Sequence, residues 1–141
     1  MVRTYCFIDA SNLRHSYRID YFKLFKYLKK RFDAKKIYYF GDIFVGDYYA
    51  LHDYLNLSSI DLNKLERWLD KDKHKKPLGE MKFIKKIKYF GYRTYIKPLK
   101  VMRGGKCKAD CDIDISVKII GEKNDFDRLI LVSGDGDFLP L

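Results

Sequence analysis

The sequence predicts an α/β domain, a mainly parallel sheet with helices packed on both faces. Short, nearly continuous apolar runs recur along the chain, amphipathic segments stand between them, and aspartates follow several of the runs. Such unbroken runs mark strands buried on both faces. Alternating strands and helices imply right-handed crossovers in one parallel sheet, with ligands bound beyond the carboxyl ends of the strands.

Thr4 to Ile8 is the first such run, and it stops at Asp9. From Asp20, Phe22, Leu24, Phe25, Leu28 and Phe32 recur at helical steps with lysines between them, which predicts an amphipathic helix. Lys36 to Phe40 reads as a second strand ending at Gly41-Asp42. Residues 43 to 79 read as a loop plus one helix, with Leu62, Leu65, Trp68 and Leu69 at helical spacing after Asp61, then the charged run KDKHKKPLG. Met81, Ile84, Ile87 and Phe90 predict a helix closed by Gly91, and Tyr92 to Lys97 a strand stopped by Pro98. Val101 to Lys108, with Gly104-Gly105, reads as a loop, Asp110 to Ile120 as a helix and Leu129 to Val132 as the last strand.

With 141 residues, 47% of them hydrophobic and 16% aromatic, the chain suits one domain with a real core. Its 29 Lys plus Arg against 19 Asp plus Glu leave a net charge of +10, a field that attracts polyanions, nucleic acid first among them. A solvated lysine coat around an aromatic-rich core accounts for the same charge. Cys6, Cys107 and Cys111 are odd in number and carry no zinc-site spacing, so they read as structural thiols. There is no signal-peptide pattern and no apolar run near about 18 residues. The expectation is a cytoplasmic protein without membrane association.

The arrangement of the acids separates the two readings of the charge. If Asp9, Asp135 and Asp137 project from one sheet edge, their repulsion calls for a cation. Hard oxygen ligands without histidines point to Mg²⁺ or Mn²⁺. On the helix over 110–120, Ile113, Val117 and Ile120 share one face and Asp112 begins another, so Asp112 can turn toward the strand ends. Asp114 stands four residues before Lys118 and reads as its surface partner, while Asp110 reads as the helix cap. Asn12 is placed to orient Asp9 or a bound water, although Asp9, Ser11 and Asn12 also read as an ordinary helix start. SGDGD alone is a turn motif, and only its combination with the other acids carries weight. His15, His52 and His74 read as surface residues.

FIDASN at 7–12, KADCDID at 108–114 and LVSGDGDF at 131–138 resemble, in order, the signature blocks of the NYN domain in its LabA-like branch, within the PIN-like nuclease superfamily. YYFGD at 38–42 and GYRTYIKPL at 91–99 agree with it. The resemblance implies a three-layer α/β/α, Rossmann-like fold and a metal-dependent ribonuclease, with Asp9, Asp112, Asp135 and Asp137 as catalytic metal ligands and Asn12 and Ser133 in support. Many relatives carry another aspartate near Lys118, and they continue past SGDGDF with a helix and a strand. Residues 1–141 are therefore expected to be a single domain lacking its last helix and strand.

The expected chemistry is hydrolysis of an RNA phosphodiester by metal-activated water, with Arg103, Lys106 and Lys108 gripping a single strand. A PIN-like module that binds RNA or a nucleotide without cutting it is the alternative, motivated by Lys118. Metal-dependent phosphatase chemistry on a small ester is a third class. Homodimers occur among PIN-like domains, so a dimer is an open expectation.

Overall fold

Strand β1, Thr4–Asp9, is buried at every residue, as its unbroken apolar run requires. The computed structural model describes residues 1–13, 18–43, 63, 66–67, 75–98, 100–101, 107–108 and 111–134. Directly after β1 comes the single turn α1, Ala10–Leu13. Helix α2, Tyr21–Phe32, starts at Asp20, whose side chain accepts from the Lys23 amide at 3.1 Å. It ends at Asp33, a left-handed residue at φ 51° whose N–H returns to the Lys29 carbonyl, with Lys29, Lys30 and Arg31 at the negative end of the helix.

β2, Ala34–Ile43, runs past Gly41 and Asp42, where the sequence reading ends it. α3, Lys75–Phe90, begins well before Met81, because Pro77 falls in the first turn, where a missing N–H has no partner to lose. Gly91, at φ +112°, closes this helix. β3 is Arg93–Pro98. The stretch read as a loop contains two short strands, β4 (Lys100–Val101) and β5 (Cys107–Lys108), paired antiparallel as Lys100↔Lys108 and Val101↔Cys107. Backbone pairing overrides the loop-like composition there. α4, Asp112–Gly121, and β6, Arg128–Val132, complete the described elements. Residues 63, 66 and 67 are helical, while Leu62, Leu65, Trp68 and Leu69 lie outside the described residues.

β1 pairs parallel with both β2 and β6, and β2 pairs parallel with β3, so the sheet order is β3-β2-β1-β6. Strand pleating sends alternate residues to opposite faces. Cys6, Ile8, Ile37 and Tyr39 pack under α2 and α3 with Leu28, Met81, Ile84 and Ile87. Tyr5, Phe7, Tyr38 and Phe40 pack against α4 through Cys111, Ile115 and Ile119. This is a three-layer α/β/α arrangement. Within α4 the exposed face is the Ile113, Val117, Ile120 stripe, and the buried one is two residues out of phase. Among the described residues no helix is long and apolar enough to cross a membrane.

At the end opposite the aspartates the register is held by side chains. Arg3 pairs with Asp127 at 3.3 Å, and Arg128 donates to the Thr4 hydroxyl at 2.8 Å and to the Phe32 carbonyl at 2.9 Å. Gly41 answers a packing demand: a Cβ there would lie 2.5 Å from Cε1 of Tyr39, a buried ring wedged against Tyr21 and Tyr92. Gly41→Ala should therefore lower unfolding stability by about 1–3 kcal/mol, the usual range for overpacking. A urea denaturation series reads this, and a midpoint equal to wild type would contradict it.

Candidate functional site

β1 steps to β2 and then β3 in one direction, whereas β6 joins on the other side of β1. The reversal of strand order lies between β1 and β6, and at the carboxyl ends of the strands such a reversal leaves a crevice where α/β proteins hold ligands. Ile8 is level with Val132 in the parallel register, so Asp9 and Ser133 are the next residues on the two strands. Asp9 continues the Tyr5, Phe7 series and therefore points to the α4 face.

Asp9 is 1% exposed. Its Oδ1 accepts from the Ser11 hydroxyl at 3.2 Å and the Asn12 amide at 3.3 Å, and its Oδ2 accepts from the Ser133 hydroxyl at 3.0 Å. The Asn12 contact makes Asp9 the cap of α1 as well, so the ordinary helix-start reading holds alongside the functional one. Asn12 turns its own Oδ1 to the Gly134 amide at 3.0 Å. It thereby fastens the segment after β6 to the segment after β1.

α4 delivers its N-terminus to the same corner. Cys111, at the cap position, is buried, and its thiol lies 3.8 Å from the Gly41 carbonyl. Burial pushes this thiol up to about 12; contact with Ser11 opposes the shift, while the charges of Asp114 and Asp9 add to it. Burial thus disfavours the thiolate of Cys111, as for a structural thiol. Asp112, half-buried, is the first residue of the helix and follows it directly. Asp42 is a further buried acid at the strand ends, level with Lys97 across the β2–β3 pair.

Two expected pairings change. Asp114 meets Lys97 at 2.6 Å instead of Lys118, because the sheet edge offers a cation to the side of α4 that bears Asp114. Lys118 instead pairs with Glu122 at 3.1 Å and lies over the rings of Tyr38 and Tyr95. Glu122 in turn accepts from the Tyr38 hydroxyl at 2.7 and 2.8 Å. The capping role read for Asp110 falls outside the described residues, and Cys111 at the cap makes no side-chain capping bond.

Of the residues singled out in the sequence, Asp9, Asn12 and Ser133 come together directly, and Asp112 is half-buried in the first turn of α4. Lys108 lies on β5. Asp135, Asp137, Arg103, Lys106, His15, His52 and His74 lie outside the described residues. Among the described residues no three Asp, Glu, His or Cys side chains form a metal-holding group. Ser11, Lys97 and Asp42 belong to the corner although sequence reasoning gave them no part in the site. For Asp42 the signal was present, an acid at the end of an apolar run.

A doubly wound parallel sheet with a buried aspartate at its switch point defines a Rossmann-like α/β domain. The sequence model of the NYN domain matches residues 3–141, and the chain belongs to the NYN domain family. No curated protein sequence matches it. One solved structure similar to it is described as divalent metal ions (zinc) bound to T5 5'-exonuclease, at 16% identity and a TM-score of 0.49. That match covers 96% of this chain and 51% of the other, so the chain spans about half the length of that protein.

Asn12→Ala removes the acceptor of the Gly134 amide. With one hydrogen bond worth about 1 kcal/mol net, that amide should exchange with solvent about fivefold faster. Hydrogen-exchange NMR measures it, and unchanged protection would show that Asn12 does not hold the segment. A second expectation concerns Glu122. Burial pushes its carboxyl up, but the Tyr38 hydroxyl and the Lys118 ammonium outweigh burial and hold it below the ordinary value. A lowered carboxylate contributes stability above its unfolded pKa and loses it as pH falls through the folded value. The stability gap between wild type and Glu122→Gln should thus be widest near neutral pH and close below about pH 4.5, the ordinary value. Thermal melts across that range test it, and a gap independent of pH would refute it.

Proposed function

We propose that the chain is a metal-dependent ribonuclease of the LabA-like NYN branch with a PIN-like fold, cleaving single-stranded RNA in the cytoplasm. The observation that carries this reading is the buried Asp9 at the switch point, held by Ser11 and Ser133, with the N-terminus of α4 brought beside it. NYN membership and the +10 charge support it.

The described donors suit a hard divalent cation. They are carboxylate oxygens, and the neighbouring thiol of Cys111 is held protonated by burial. Asp9 and Asp112, joined by Asp135 and Asp137, would hold Mg²⁺ or Mn²⁺. When bound, such an ion lowers the pKa of water and offsets charge developing on a phosphate.

The protein's own contribution is orientation and field. The two serine hydroxyls fix the carboxylate of Asp9, so its oxygens keep one direction as substrate arrives. The aromatic face beneath it, Tyr5, Phe7 and Phe40, keeps water from behind the acid and raises its electrostatic effect. The positive end of α4 favours an anionic phosphate at the same corner. Arg103, Lys106 and Lys108 would grip the strand that leads to it.

A non-cutting RNA-binding module is the second reading. Lys118, a fixed cation on α4 where relatives carry an acid, favours it.

Asp9→Asn retains an acceptor for Ser11 and the Asn12 amide but removes the charge. It should fold as wild type and cut labelled single-stranded RNA at least about 100-fold more slowly, the scale of losing one charge-stabilising group. Addition of EDTA, or Asp135→Asn on top of it, should abolish cleavage in Mn²⁺ and Mg²⁺. Cleavage indifferent to EDTA and to both substitutions would refute the mechanism, and tight binding with no turnover in any metal would establish the second reading.

A further inference from the structure

Beside the acidic corner, on the same face of the sheet, a groove of about 460 Å³ runs between α4 and β3. Its volume is within the ~300–1,000 Å³ typical of small-ligand clefts. Its floor ends a ladder of rings crossing three strands. Phe7 and Phe40 lie 23° from parallel at 6.4 Å, and Phe40 and Tyr95 lie 9° from parallel at 5.0 Å. Among the described residues Tyr95, on the edge strand β3, is the last ring of the ladder, and it is 37% exposed. The opposite wall is the apolar stripe of α4, with Ile113 at 78% and Val117 at 64% exposure.

The charges along the groove cancel, Lys97 against Asp114 and Lys118 against Glu122. A neutral slot with a near-parallel aromatic floor, aliphatic walls and polar groups at its ends does not select a phosphate. It suits a flat heteroaromatic ring with hydrogen-bonding edges. Cys111 lines the inner end of the groove and contacts Ser11, which donates to Asp9. The groove thus adjoins the corner that holds Asp9, and a polyanion drawn by the +10 chain would reach its mouth.

We propose that the groove between α4 and β3 is a base-binding subsite, in which one nucleobase of a single-stranded nucleic acid extends the Phe7–Phe40–Tyr95 ladder and packs against Val117. The subsite gives the nuclease reading its preference for unpaired substrate, since a base within a duplex cannot leave its stack without a cost. It rests on that reading for the identity of the ligand, but its binding is measurable without any cleavage.

The probe is a short single-stranded oligoribonucleotide carrying 2-aminopurine at successive positions, titrated with the protein in EDTA. One position should lose fluorescence on binding as it stacks. Tyr95→Ala should abolish that quench and weaken binding roughly 5- to 150-fold, the range for one base–aromatic stack. Val117→Glu, on an exposed position that leaves the core intact, should do the same. Tyr89→Glu makes an identical charge change on α3, on the other side of the sheet, and is the control at 89% exposure. Loss of binding in Val117→Glu no greater than in Tyr89→Glu overturns the subsite. So does a change in sedimentation of Val117→Glu with RNA binding intact, which would make the groove a contact between copies of the chain. Quenching at one position without cleavage in any metal would sink the nuclease reading and leave the subsite standing.

Discussion

Asp9 is a carboxylate with almost no exposure, at the end of a strand flanked on both sides, and an ion in that position is costly unless donors or a cation compensate it. Much of the local structure follows from that requirement. Ser11 and the Asn12 amide come from the turn that Asp9 itself caps, and Ser133 arrives from a strand more than a hundred residues away. The parallel register brings Ser133 level with the acid, and the pleat turns both to the α4 face. Hydroxyl donors can rotate, so they stabilise the carboxylate without closing the corner to a ligand.

The aromatic layer under α4 imposes a second set of requirements. Tyr5, Phe7, Tyr38, Phe40 and Tyr95 pack ring against ring across the sheet, some stacked and some edge-on, and the hydroxyl of Tyr38 must find an acceptor on the helix above. Glu122 supplies it, and Lys118 balances Glu122 one turn earlier. Lys118 therefore has a local reason, because it neutralises a carboxylate that satisfies a buried tyrosine. Its ammonium is held raised by its bonds to Tyr95 and Glu122 against the opposing effect of burial. The same balance leaves the neighbouring groove without net charge.

Several elements could be read from the sequence because each carries its own periodicity. Thr4 to Ile8 and Leu129 to Val132 are strands since a continuous apolar run has no exposed face to offer, and α2 announces itself through Asp20 and its lysine-separated stripe. Asp9, at the end of a strand, and Asp112, at the start of a helix, were legible as positions in that pattern. α4 is where local reading failed. Ile113, Ile115, Val117, Ile119 and Ile120 surround the helix, so no pattern within ten residues selects a face. The sheet selects Ile115 and Ile119 because Cys111 has to seat beside Gly41 and Ser11, and that rotation turns Asp114 to Lys97 and leaves Ile113 and Val117 along the groove.

By itself, the sequence determined the alternation of strands and helices, the basic field and the acids that end β1 and begin α4, because those are properties of neighbouring residues. Tertiary structure decided the strand order β3-β2-β1-β6, the meeting of Asp9 with Ser133, the rotation of α4 and the existence of the groove. Each of these joins residues distant along the chain, and a distant pairing is chosen by register, pleat and competition for buried partners, none of which a local pattern contains.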